Sequence, residues 1–177
     1  MRKLTALLAA GLVLGLSGQA MAAADATATS SIGATVLTPI AITKTADLNF
    51  GSFAVSASTA GTVIVDAADG RTFGGAGGAS AVSTATGFVS ASFDLSGVAT
   101  ATFSITLPTA PVTVTHTTVP ANTMSVSAFV SNPATTGVLD ASGLRTVKVG
   151  ATLTVPAGQA AGTYTHATGL PVTVAYN

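Results

Sequence analysis

The chain has 177 residues, with six Lys or Arg balanced by six acidic residues, all Asp. Only 7% of the residues are charged, against roughly 25% in an ordinary soluble domain, and nothing resembles the basic footprint of a nucleic-acid binder or a lipid-attracting basic cluster. Cysteine and Glu are absent, which excludes disulfides, thiol chemistry, thiolate metal sites and paired-Glu catalysis.

Arg2 and Lys3 precede the uncharged apolar run Leu4–Leu16. Ser17, Gly18 and Gln19 break that run, and Ala20-Met21-Ala22 places small residues where export peptidases cut. Residues 1–22 therefore read as a cleavable secretory signal peptide. The run of 13 residues is too short for the roughly 20 that a spanning helix needs. Cleavage would leave Lys44, Arg71, Arg145 and Lys148 against six Asp, a balance of about −2. A surface so poor in charge is weakly defended against self-association.

Beyond the signal, period-two alternation dominates and helical periodicity is nearly absent. From Ala26 to Val36 the even positions Ala26, Ala28, Ser30, Ile32, Ala34 and Val36 form a small, mildly apolar face opposite Thr27, Thr29, Ser31, Gly33 and Thr35. After Pro39 the apolar pattern resumes at Ile40 and Ile42, and Asp47–Phe50 leads to a turn at Gly51. Gly61–Val65 predicts a strand, Asp66–Gly70 a turn, and Gly74–Gly78 a loop. Further faces are Val89, Ala91, Phe93 and Leu95; Phe103, Ile105 and Leu107; and Met124, Val126, Ala128 and Val130. Between the last two, Pro111–His116 makes a short segment. Asn132-Pro133 and Gly137 mark a long loop over 131–143. Arg145–Val155 aligns Val147, Val149, Ala151, Leu153 and Val155; Pro156–Gly162 turns; Tyr164 follows; and Val172, Val174 and Tyr176 form the last strand. Eight to ten short strands with Gly/Pro-rich turns predict an all-β sandwich, with a small closed barrel left open by periodicity.

Chemistry-bearing motifs are lacking. His116 and His166 have no metal-ligand spacing and read as solvated strand or turn residues. Asp66 and Asp69 do not match an EF-hand loop and read as turn formers. No catalytic, cofactor-binding or metal residue is assigned, and no enzyme activity is expected.

Ile40-Ala-Ile-Thr-Lys-Thr-Ala-Asp-Leu-Asn-Phe-Gly51, Gly158-Gln-Ala-Ala-Gly-Thr-Tyr164 and Val172-Thr-Val-Ala-Tyr-Asn177 resemble the bacterial domain of unknown function 4402 family. The same ends, Leu48–Gly51 and Ala161–Tyr164 above all, look like those of spore-coat-U-type pilins of archaic chaperone–usher systems. That resemblance implies an incomplete immunoglobulin-like β-sandwich, completed by a donor strand from a neighbouring subunit, with backbone bonds supplying affinity and alternating side chains supplying register. It further implies export through the periplasm to an extracellular, cell-surface fimbrium. The implied partners are copies of the chain itself, a periplasmic chaperone and an outer-membrane usher, with no nucleic acid and no stable membrane insertion of the mature chain. On this reading residues 23–36 are an N-terminal extension ahead of a sandwich over 37–177. Ala26, Ala28, Ser30, Ile32, Ala34 and Val36 are the candidate donor face. Val172, Val174 and Tyr176 face the acceptor groove or chaperone, Tyr176 matching the penultimate aromatic of many pilins. Three features depart from the pilin pattern: no disulfide, Tyr164 where classical pilins place a Gly, and Pro171 beside the last strand. The alternative is a self-contained secreted or surface sandwich that binds a partner and pairs residues 26–36 in its own sheet.

Overall fold

The computed structural model describes residues 26–83 and 87–177; the signal-peptide reading of residues 1–22 lies outside the described residues. The chain divides between Thr35 and Val36. Residues 26–35 are exposed and carry no regular secondary structure. Their alternation reads as a strand in sequence, but Ala, Ser, Thr and Gly side chains bury too little area to hold an extended backbone that has no bonded partner.

From Val36 onward every described regular element is a strand. In chain order they are β1 Ala41–Ala46, β2 Asn49–Phe50, β3 Ala54–Val55, β4 Gly61–Val65, β5 Arg71–Gly74, β6 Ala79–Ser80, β7 Phe88–Val89 and β8 Ala91–Ser96. There follow β9 Thr102–Thr106, β10 Val112–His116, β11 Thr123–Asn132, β12 Thr136–Val138, β13 Leu144–Val155, β14 Tyr164–Thr165 and β15 Thr173–Tyr176. The count exceeds the sequence expectation because several elements are two-residue pairs, too short to show alternation.

The long strand β13 organises the molecule. One edge pairs with β11; the other pairs with β8 along Leu144–Val149 and with β4 along Ala151–Val155. The main sheet runs β1-β8-β13-β11-β10-β14, with β4 and β5 branching from β13. A second sheet, β12-β9-β15, supplies the facing layer. All the pairings are antiparallel. This is the arrangement of an incomplete immunoglobulin-like sandwich. Phe103 and Ile105 of β9 pack with Ala91, Phe93 and Leu95 of β8 and Val147 and Val149 of β13. A second cluster joins Val63, Met124, Val126, Ala151, Leu153 and Val155.

Several sequence expectations need correction. The Met124–Val130 face breaks at a bulge: the β11–β13 register shifts between Ser127 and Val130, and Ala128 sits at φ 51°. One extra residue reverses the alternation, so Met124 and Val126 are buried, Phe129 turns inward, and Ala128 and Val130 face solvent. The 131–143 loop contains β12, held against β9. The Val89–Leu95 face is interrupted at Ser90, which is fully buried. His116 is not solvated; it is 7% exposed.

Polar braces close the turns. Asp66 Oδ1 accepts from the Ala68 and Gly70 amides, at 2.8 Å each, making the expected Asx turn. Asp69, at φ 65°, does more. Its carboxylate takes Lys148 Nζ on one oxygen and the Ser90 amide and hydroxyl on the other, at 3.0 and 2.6 Å. Those bonds, Lys148 first and then Ser90, hold the Asp69 carboxyl down at about 2.

Candidate strand-docking groove

An open cleft of about 1100 Å³ enters the sandwich. Its floor is the inward face of the main sheet: Phe93 from β8, Leu153 from β13, Met124 and Val126 from β11, and Val112 and Val114 from β10. Two segments outside the long strands, Ala46–Phe53 with Lys44 and Gln159–Leu170, supply most of the remaining lining. The half-buried Leu48, Phe50, Phe53, Phe129 and Tyr164 pack against the core and line the cleft as well. The apolar interior is thus reachable from outside along a strip without a covering strand. The charged side chains in the lining are Lys44 and Asp47, an exposed ion pair at 2.6 Å that adds little stability.

The first wall is shaped by Leu48-Asn49-Phe50-Gly51. Asn49 Oδ1 accepts the Gly51 amide at 2.8 Å, closing a turn in which Gly51 takes φ 69°. Arg71 fastens this turn to β5. Its Nη1 donates to the carbonyls of Phe50 and Ser52 at 3.0 and 2.9 Å, and its guanidinium lies 5.0 and 4.4 Å from the ring centres of Phe73 and Phe88. A Cβ on Gly51 would stand 2.8 Å from that Nη1, so glycine satisfies both the dihedral and the close approach.

The second wall is shaped by Ala161-Gly162-Thr163-Tyr164. The Tyr164 hydroxyl donates to the Ala160 carbonyl at 2.7 Å and accepts from Gln159 Nε2 at 2.8 Å. Tyr164 pairs across β10 with His116, and the two rings meet edge to face at 4.9 Å. Gly162 lies directly on the imidazole, where any Cβ would collide with Nε2. His166, exposed, bonds the Thr113 carbonyl through Nδ1 and the Thr168 hydroxyl through Nε2, each at 2.8 Å.

The sequence-derived site residues fall in three places. Ala26, Ala28, Ser30, Ile32 and Ala34 are exposed and outside any strand, as is Val36, the first residue of the folded body; Ile32 is 99% and Val36 95% exposed. Val172, Val174 and Tyr176 pack on the β8–β9 cluster, beyond the cleft lining, which stops at Leu170. β15 pairs with β9 along one edge, and no strand among the described residues pairs with the other. The Tyr176 hydroxyl is engaged inside the protomer, accepting from the Val98 amide at 2.7 Å and donating to the Thr38 carbonyl at 3.0 Å. Sequence reasoning missed the floor residues Met124, Val126, Val112 and Val114 as part of a site. Their alternation identified core, and nothing local signalled that this core lacks a cover. Among the described residues no group of three or more His, Cys, Asp or Glu could hold a metal ion.

Fold and cleft together define an all-β, incomplete immunoglobulin-like sandwich with an accessible apolar core. The chain belongs to the family described as a domain of unknown function (DUF4402), whose sequence model matches residues 40–176. No curated protein gives a significant match. No solved structure does so either.

Proposed function

We propose that this chain is a structural subunit of an extracellular surface fibre, and that its cleft receives an extended strand from a second copy. The observation that carries the reading is the uncovered apolar floor, lined along one side by β14, an end strand of the main sheet with one edge unpaired among the described residues. A β-strand suits such a place because it satisfies the free backbone edge while its alternate side chains enter the cleft. The donor is the extension face Ala26, Ala28, Ser30, Ile32, Ala34 and Val36, which is charge-free and exposed. Ile32 and Val36 are its two large apolar side chains, four residues apart on one strand face. The small remaining side chains contribute little burial, so backbone bonds dominate. Export past a signal at residues 1–22, escort by a periplasmic chaperone and passage through an outer-membrane usher complete the proposal.

Negative-stain imaging and SDS gels of the exported protein test it. The full chain is expected to form filaments and SDS-resistant ladders, whereas deletion of residues 25–36 leaves folded chains that do not polymerise. A stable full-length monomer with residues 26–36 paired in its own sheet refutes strand exchange and favours a self-contained binding sandwich.

A further inference from the structure

The second wall of the cleft, besides its pairing with β10, is tied by one side chain whose hydrogen bonds require a particular proton arrangement. The backbone amides of Thr118 and Val119 both donate to His116 Nδ1, at 3.1 Å each. Two donors converging on one ring nitrogen fix it as the lone-pair site, so the ring proton sits on Nε2. There it is donated to the Ala161 carbonyl at 3.1 Å. The ring is 7% exposed, so water cannot readily replace a lost bond. Gly162 lies against it, Tyr164 meets its edge, and the Thr117 amide bonds the Thr163 carbonyl at 2.9 Å. The neutral imidazole therefore joins the 117–119 turn to the 161–164 wall.

We propose that His116 is an acid-sensitive latch on the cleft. A proton on Nδ1 would point at two N–H donors and cancel both bonds, leaving the Thr118 hydroxyl, 3.3 Å away, as the acceptor it could turn to. The flanking segments 117–122 and 156–163 contain no Asp, Lys, Arg or His, and the titratable group facing the ring from β14 is the Tyr164 phenol. Histidine is the side chain whose charge changes within the mildly acidic range. Protonation of this ring loosens the Ala161–Tyr164 wall, and the strand it helps to hold becomes exchangeable. The consequence for the occupant rests on the proposed strand-docking function; the latch itself does not.

Amide hydrogen exchange on the full chain, between pH 7.5 and 4.5 and corrected for intrinsic rates, tests the latch. The amides of Thr117, Thr118, Val119 and Tyr164 are expected to lose protection roughly tenfold or more on acidification, the scale set by losing two backbone bonds of ordinary net strength, while Val63 and Val149 stay protected. His116→Asn, whose carbonyl oxygen accepts at any pH, is expected to abolish the acid effect, and His166→Gln to leave it intact. Nitrogen-15 chemical shifts should show Nδ1 unprotonated at pH 7.5. An Nδ1–H tautomer, unchanged protection at pH 4.5, or the same acid response in His116→Asn would each overturn the latch. Should the latch respond as expected while the protein forms no filaments, the latch stands and the fibre reading falls.

Discussion

Tyr176→Phe isolates one oxygen atom that joins the two ends of the folded domain. The hydroxyl accepts from the Val98 amide and donates to the Thr38 carbonyl. The ring meanwhile packs on the β8–β9 core and would remain in phenylalanine. Gly97 explains why the hydroxyl reaches this position: a Cβ there would stand 2.2 Å from it. Removing the oxygen deletes two hydrogen bonds of about 0.5–1.5 kcal/mol net each, and leaves the half-buried Val98 amide without its acceptor. Partial access to water relieves some of that cost, so the expected destabilisation is about 1–2 kcal/mol. For a domain of this size the melting temperature should fall by roughly 3–6 °C. Urea unfolding of the wild type and Tyr176→Phe, compared at equal m-values, gives the difference directly. A change below about 0.3 kcal/mol would refute the reasoning, because the hydroxyl would then contribute no more than an exposed group.

Two further perturbations act elsewhere in the fold. The Asp69 carboxyl, lowered to about 2 by Lys148 and Ser90 from an ordinary 3.8, contributes stability that is complete above pH 4 and is lost as pH falls toward 2. With Asp69 35% exposed, solvent screening limits this to about 1 kcal/mol; urea titrations should show a pH dependence in that window that Asp69→Asn lacks. Ala128 occupies the left-handed region at the β11 bulge, where a Cβ costs about 1 kcal/mol relative to glycine. Ala128→Gly should therefore raise the urea midpoint, and Ala128→Val should lower it by a larger amount.

The parts of this fold legible in sequence are those whose side-chain period is uninterrupted. Val147, Val149, Ala151, Leu153 and Val155 lie on one inward face because β13 pairs with β8 and then β4 along one edge and with β11 along the other from Lys148 to Thr154. The same logic failed at Ala128 and Val130, where one inserted residue moves the rest of the strand to the other face while leaving the apolar pattern in the sequence unchanged. It failed at His116 for a different reason. A polar residue at a strand end is usually solvated, and only the fold brings the Thr118, Val119 and Ala161 backbone groups around the ring. β12 was missed because its three residues owe their extended form to β9 rather than to their own propensity.

The segments Leu48–Gly51 and Ala161–Tyr164 look unrelated as sequence, since they lie far apart along the chain. In the structure they line one cleft, and each uses its glycine in the same way. Gly51 lets a guanidinium approach the backbone, and Gly162 lets an imidazole do so. Each of those side chains, Arg71 and His116, then bonds backbone carbonyls of the wall it touches. Neither wall belongs to a long strand, so neither can rely on a continuous ladder to keep its place. A side-chain clamp meets that need while leaving much of the wall backbone unpaired. An opening in a β-sandwich core would otherwise tend to collapse, because apolar residues on both sides gain by closing it. The paired clamps oppose that closure, and the glycines are the residues that permit them. The two glycines thus have a mechanical basis in admitting the clamps, and under the proposed strand-docking function the fit of an occupant would depend on Arg71 and His116 as well as on the apolar floor.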